Sequence, residues 1–253
     1  MTTNEKAVML EVSELYLRVG RSSILNGIDL KITQGETVGI VGPNGSGKTT
    51  LFNCLSGFLE PYRGEVKLNS KDIIAKSPSD RALMGIGRTF QNFGIFKEMT
   101  VEENIVTALE ARKSFLGRFF SCGIPADLRS KSLDLLKEVG IEGKLSSRAS
   151  SLSGGQMRLL EIVRLLAFEA ELFLLDEPTA GVSPKMKDDV ANLILKLKSQ
   201  GKTVLIIEHD MQFIQRFCDR IIVLESGKVV MDGSPKEVRE NPRLQEIYFG
   251  VKH

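Results

Sequence analysis

An α/β fold is predicted: an N-terminal antiparallel β region, a core built on a mostly parallel sheet, and an α-helical subdomain inserted into that core. Three observations predict it. Apolar and polar residues alternate through the opening segment, as in Leu10 and Val12 against Glu11 and Ser13. Short apolar runs such as "TVGIVG" (37–42), "LFLLD" (172–176) and "TVLIIE" (203–208) are each followed by a helical pattern, which implies parallel strands with crossover helices. Between them lies a stretch that reads mostly as helix.

The elements follow in order. Ile28, Leu30 and Ile32 alternate with Asp29 and Lys31, giving a second strand after the first. "TVGIVG" ends in glycines and a helix begins at Gly47, a strand–loop–helix unit. "GEVKL" (64–68) and "GIGRTF" (85–90) read as further strands. "TVEEN" (100–104) carries a capping box, with Thr100 and Glu103 at the paired positions, and opens the helical stretch. That stretch is interrupted by "SFLGRFFSCGIP" (114–125) and by the Ser/Ala-rich 146–153. After 171 come the strand "LFLLD", a helix over 184–198, the strand "TVLIIE", a helix over 210–218, and the strands "RIIVL" and "VVMDG" joined by a hairpin at "ESGK". Ser183 is the expected cap of the helix at 184, Pro184 stands in its first turn, and Val190, Leu193, Ile194 and Leu197 form its apolar stripe. The division is a single domain over 1–253, with an α/β core from 1–92 and 162–253 and a helical subdomain at 93–161.

Composition bounds the function. The 253 residues are 42% hydrophobic and 26% charged, ordinary for a globular protein. A net charge of +2 gives no support to a nucleic-acid surface. Cys54, Cys122 and Cys218 have no paired spacing and the two histidines are too few for a metal cluster, so a reduced, cytosolic setting fits best. The first residues lack a signal peptide's basic end and long apolar run, and no stretch reaches the ~18 apolar residues of a membrane span.

The chemistry is carried by five short stretches. In "GPNGSGKT" (42–49) Gly42, Pro43, Asn44, Gly45, Ser46 and Gly47 form a loop whose backbone N–H groups can wrap phosphates at a helix N-terminus, and Thr50 follows in the first turn. Lys48 is placed to reach the β- and γ-phosphates, and Thr49 to offer its hydroxyl to Mg²⁺. Asp176 ends a buried strand at its carboxyl edge, where ligands bind in open α/β sheets, and suits Mg²⁺ through water. Glu177 beside it suits a base that polarises water. His209 follows another strand at the same edge, and Gln91 follows a third and can offer an amide to Mg²⁺ or water. "SLSGGQ" (151–156) is a second anion-suited helix start: Ser153 as cap, then Gly154, Gly155 and Gln156. It lies on the helical insertion, away from the sheet edge. Two molecules head to tail bring each such turn to the other's triphosphate.

Together, "GPNGSGKT", Gln91, "LSGGQ", "LFLLDEP" and His209 resemble, in order, the motifs of ATP-binding cassette (ABC) ATPases, and the resemblance covers essentially the whole chain. It implies a P-loop NTPase core binding ATP and Mg²⁺. In that scheme Lys48, Glu177 and His209 are catalytic, with Glu177 the general base. Thr49, Gln91 and Asp176 belong to the metal site, Gln91 linking it to the membrane partner, while Ser153 to Gln156 contact the partner's nucleotide. "GIGRTFQNFGIFKEMTVEENI", "AGVSP", "EHDM" and the tail "IYFG" are similar to the ATPase subunits of branched-chain amino acid importers, and importers of urea and other amides share much of this. The partners implied are a second ATPase subunit, identical or a sister chain, membrane permeases and, indirectly, an extracytoplasmic solute-binding protein. The location implied is peripheral, on the cytoplasmic face of a prokaryotic membrane. Two positions depart from the wider pattern: Val19 stands before Gly20 where an aromatic commonly stacks on adenine, and Ser183 stands where aspartate commonly ends the loop after the base. Phe93, Ile95, Phe96 and Met99 suit either a groove for a permease helix or the subdomain core, and Phe115, Leu116, Phe119 and Phe120 either a partner-facing patch or internal packing. The competing classes are a soluble ABC ATPase acting on ribosomes or DNA and a P-loop kinase, the latter disfavoured by Glu177 and "SGGQ".

Overall fold

A computed structural model describes residues 7–90, 94–111 and 124–242. Gln91, Phe93, Phe115, Leu116, Phe119, Phe120, Cys122 and the "IYFG" tail lie outside the described residues. Two sheets form the scaffold. The first is antiparallel, in the order β2-β1-β4-β5, with β1 Val8–Val19, β2 Ser22–Thr33, β4 Arg63–Leu68 and β5 Lys71–Asp72. The second has the order β10-β9-β3-β8-β7-β6, built from β3 Thr37–Val41, β6 Ile86–Arg88, β7 Leu172–Asp176, β8 Thr203–Ile207, β9 Arg220–Glu225 and β10 Lys228–Gly233. β9, β3, β8, β7 and β6 run parallel and β10 closes the edge antiparallel. The β9–β10 hairpin turns on Ser226 and Gly227, both at positive φ, as a two-residue connection between right-twisted strands requires.

Every residue of β3, β7 and β8 is buried, because this sheet is covered on both faces. Successive side chains go to opposite cores. Phe173, Leu175, Val204 and Ile206 join one core with α5 (Gly154–Ala167), α6 (Pro184–Ser199) and α7 (Met211–Phe217). Leu172, Leu174, Leu205 and Ile207 join the other, with α1 (Lys48–Leu55) and the antiparallel sheet. Leu51, Phe52 and Leu55 of α1 are fully enclosed there; burying each contributes roughly 1.5–3 kcal/mol, which anchors the helix whose first turn carries Lys48 and Thr49.

The helical segment contains α3 (Val101–Glu110), α4 (Ala126–Lys137) and short 3₁₀ turns at Glu142–Lys144 and Ala149–Ser151, and leads into α5. Thr100 and Glu103 form the expected capping box. α5 runs unbroken to Ala167, so residue 161 lies inside a helix. Two short helices go beyond the sequence reading, α2 (Pro78–Leu83) and α8 (Pro235–Glu240), each opened by Ser-Pro with an acid at the third position closing a capping box. α7 is shorter than the expected 210–218: Asp210 is its cap, accepting from the N–H groups of Gln212 and Phe213, and Cys218 already has extended backbone. The strand expected at "GIGRTF" is likewise trimmed, to β6 at Ile86–Arg88. Cys54 and Cys218 are buried and unpaired. Among the described residues no helix is long and apolar enough to cross a membrane.

Candidate active site: a phosphate loop facing a strand-end carboxylate

The loop between β3 and α1 has little room for side chains. A Cβ on Gly42 would stand 2.2 Å from the Leu224 carbonyl oxygen, a backbone atom that cannot yield. Gly47, which caps α1, has φ 104°, a conformation that L side chains rarely adopt. Lys48 is buried and folds back over the loop, its Nζ donating to the carbonyls of Gly42 (2.8 Å) and Pro43 (3.0 Å). Burial holds its ammonium below the ordinary lysine range, against the opposing pull of Glu177 and Asp176.

Across from the loop, β7 delivers two acids with different surroundings. Asp176 is 1% exposed, and its backbone N–H donates to the Thr89 hydroxyl. Its Oδ2 lies 3.4 Å from the Arg88 guanidinium, while its Oδ1 is buried without a hydrogen-bond partner. Burial pushes the carboxyl up and Arg88 opposes the shift; burial likewise pushes Arg88 down. Glu177 is partly exposed and sits at φ 49°, a left-handed conformation that costs a non-glycine residue about 1–3 kcal/mol. Its N–H donates to the Ile207 carbonyl, extending the β7–β8 ladder by one bond. The strained residue turns the carboxylate toward His209, whose Nε2 lies 2.9 Å from Glu177 Oε1.

The loop beyond is held from β8. Buried Glu208 accepts from both the N–H (2.8 Å) and the hydroxyl (2.7 Å) of Thr179. Ser183 caps α6, accepting from Met186 N–H, and Lys187 pairs with Asp210 at 2.9 Å. The serine at the departing position is thus a helix cap in this chain.

These elements enclose a cavity of about 320 Å³ lined by Asn44, Gly45, Gly47, Lys48, Thr49, Thr50, Glu177, His209 and Ile24. The structure therefore brings together the phosphate loop, the expected base and the histidine. Asp176 lies buried, within electrostatic reach of Lys48. Ser153 to Gln156 do not line the cavity. They form their own capping box, Gln156 N–H donating to Ser153 Oγ and Ser153 N–H to Gln156 Oε1, with Gly155 packed on Met186. Sequence reasoning missed Ile24, Glu208 and above all Arg88; the only signal for Arg88 was a charge inside the strand "GIGRTF". Val19, 58% exposed at the end of β1, leaves the base no ring at that position.

A phosphate loop at the carboxyl edge of a parallel sheet, with two acids ending the facing strand, defines a P-loop nucleoside triphosphatase. Residues 25–180 match the ABC transporter family, and the chain belongs to that family. It is 39% identical over 251 residues to the high-affinity branched-chain amino acid transport ATP-binding protein BraF of Pseudomonas aeruginosa, covering 96% of this chain and 98% of BraF. The ADP form of MJ1267, an ATP-binding cassette of an ABC transporter, superposes with a TM-score of 0.82 at 32% identity, covering 96% of this chain and 99% of that one. MJ0796, an ATP-binding cassette solved as a dimer in a post-hydrolysis state with ADP and phosphate, gives 0.78 at 28% identity over 90% and 99%. The chain binds and hydrolyses ATP.

Proposed function

We propose that this chain is the ATPase subunit of an importer for branched-chain or other hydrophobic amino acids, driving a separate membrane permease from the cytoplasmic face of a prokaryotic membrane. The observation that carries the reading is the cavity that sets Glu177 and His209 against the phosphate loop, in a chain similar to BraF over nearly its full length. A kinase needs room for a substrate hydroxyl; a carboxylate braced by histidine beside the cavity suits activation of water.

The loop amides, Lys48 and the dipole of α1 bind the triphosphate. To reach phosphate oxygens, Lys48 exchanges the Gly42 and Pro43 carbonyls for them. Glu177 accepts the proton of the attacking water, and His209 holds its carboxylate in place beside the γ-phosphate. The residues fit Mg²⁺: a buried Asp176 oxygen lacks any protein partner, and the Thr49 hydroxyl lines the cavity. Thr49 and Asp176 would hold the ion, with Gln91 as a further oxygen donor, and it would supply charge neutralisation on the phosphates. Ser153, Gly154, Gly155 and Gln156 serve the nucleotide of a second subunit, the same chain or a sister. Their absence from the lining of their own cavity supports this division.

A groove of about 400 Å³ lies beside the site, walled by Phe58, Phe90, Phe96, Ala108, Leu165 and Phe168. An apolar groove of this kind suits an amphipathic helix, here a cytoplasmic segment of the permease. Phe96 faces it, whereas Ile95 packs on the core. A solute-binding protein outside the membrane would deliver the solute to the permease.

Uptake of labelled leucine, isoleucine and valine in a strain lacking the gene tests the reading. Loss of uptake, restored by the native gene and not by Glu177→Gln, is expected. Loss of urea or amide uptake alone would reassign the solute, and unchanged uptake of all of them would overturn import. At the base site, weak discrimination of ATP from GTP is expected, about tenfold or less, because Val19 and Ile24 offer less face than a ring. Competition binding measures it; a strong ATP preference would place the base on another residue.

A further inference from the structure

Arg88 ends β6 with its side chain almost fully enclosed. Its Nη2 lies 3.4 Å from Asp176 Oδ2. Its Nη1 donates to Asn53 Oδ1 at 2.7 Å and to Ser56 Oγ at 2.8 Å. Ser56 caps the C-terminal end of α1, and Asn53 lies within the helix, whose first residues are Lys48 and Thr49. The guanidinium also lies over three rings, 5.2 Å from the centre of Phe90, 5.9 Å from Phe52 and 6.0 Å from Phe58. A buried charge costs several kcal/mol unless paired. Here a carboxylate meets the charge, two neutral acceptors set the angle of the planar fork, and the rings restrict its tilt.

Asp176 is correspondingly constrained. One carboxylate oxygen faces Arg88 and the other has no protein partner, although both are buried. An unpaired buried carboxylate oxygen is costly, and a bound cation would offset that cost; Arg88 Nε is likewise buried without a partner.

We propose that Arg88 is a positioning residue for the metal site: by holding Oδ2 it leaves Asp176 Oδ1 as the oxygen offered to bound Mg²⁺, and through Asn53 and Ser56 it sets that oxygen in register with the helix that carries Thr49. This deepens the reading of Asp176 as a metal-site acid and rests on it.

Binding of a fluorescent, non-hydrolysable ATP analogue, titrated in Mg²⁺ and again in EDTA, tests the proposal. For Arg88→Gln the gain in affinity on adding Mg²⁺ falls about tenfold or more, the usual cost of losing a group that orients a metal ligand, while affinity in EDTA stays native. Arg88→Lys recovers part of the gain, since an ammonium can meet Oδ2 but cannot also span Asn53 and Ser56. Asn53→Ala, which leaves the Arg88–Asp176 pair in place, loses a smaller share in the same direction. A native Mg²⁺ response in Arg88→Gln, or equal losses in Mg²⁺ and EDTA, would reduce Arg88 to a packing role. Should Arg88→Gln not fold, Arg88→Lys and Asn53→Ala are judged by the same two criteria. Asp176→Asn separates the levels: an undiminished Mg²⁺ response there removes the metal role of Asp176 itself, whereas a diminished one beside a native Arg88→Gln removes only the proposal.

Discussion

Glu177→Gln lowers ATP turnover by about a hundredfold or more and leaves nucleotide bound, because the amide keeps the shape of the carboxylate and loses its basicity. The geometry gives the substitution a clean interpretation. Glu177 lines the cavity but makes no hydrogen bond to the phosphate loop, so the isosteric amide leaves the loop's own contacts in place and removes only the charge that favours the Lys48 ammonium. Its backbone conformation is held by the Ile207 carbonyl rather than by its side chain. A steady-state phosphate-release assay, paired with measurement of retained ATP, checks both halves. Turnover near native would assign proton acceptance to another group. Weakened binding with residual turnover unchanged per bound ATP would show Glu177 to be a binding residue.

Gly154→Asp leaves the single chain intact and weakens its working assembly. A Cβ at Gly154 meets nothing within 4 Å, and its φ is not among the left-handed ones. An acid in the first turn of α5 is moreover favourable to the helix itself. Affinity for nucleotide on the chain's own loop is therefore expected to stay native. In the proposed two-subunit assembly the same carboxylate would meet the triphosphate of the second subunit, and like charges brought together cost several kcal/mol, enough to lower turnover about tenfold or more. Gel filtration of an ATP-loaded, Glu177→Gln background and a turnover assay read the two effects. Native dimerisation and turnover would place the "SGGQ" turn away from the partner's nucleotide. Gly155 would be a poorer test, since its Cβ would stand 2.7 Å from Met186 and disturb the monomer as well.

The strands and their polarity were legible because burial on two faces leaves an unmistakable mark: "LFLLD" and "TVLII" have no polar interruption, and their odd and even residues feed separate cores. The phosphate loop was legible because its glycine spacing is itself the signal, although what confines Gly42 is the distant Leu224 carbonyl. So were Thr100–Glu103 and Ser183, where a cap and its helix are neighbours in sequence. The short helices α2 and α8 carry a similar local signature, Ser-Pro with Asp80 or Glu237 following, and had signals that went unread. Arg88, Glu208 and Ile24 belong to another category. Arg88 meets Asp176 across 88 positions, and Glu208 meets Thr179 across 29. Such partnerships come from the strand order, in which β6 and β7 are neighbours despite the whole helical segment between them. Spacing in the chain holds no trace of them. The same applies to Arg81, whose buried guanidinium donates to the Leu55 carbonyl at the far end of α1 and to the Ile74 carbonyl beyond β5.

Lys48 resting on the carbonyls of its own loop makes ATP capture a substitution and not an addition. The ammonium is already solvated by protein, so arrival of a phosphate trades two neutral acceptors for anionic ones, and the observed affinity reports only the difference.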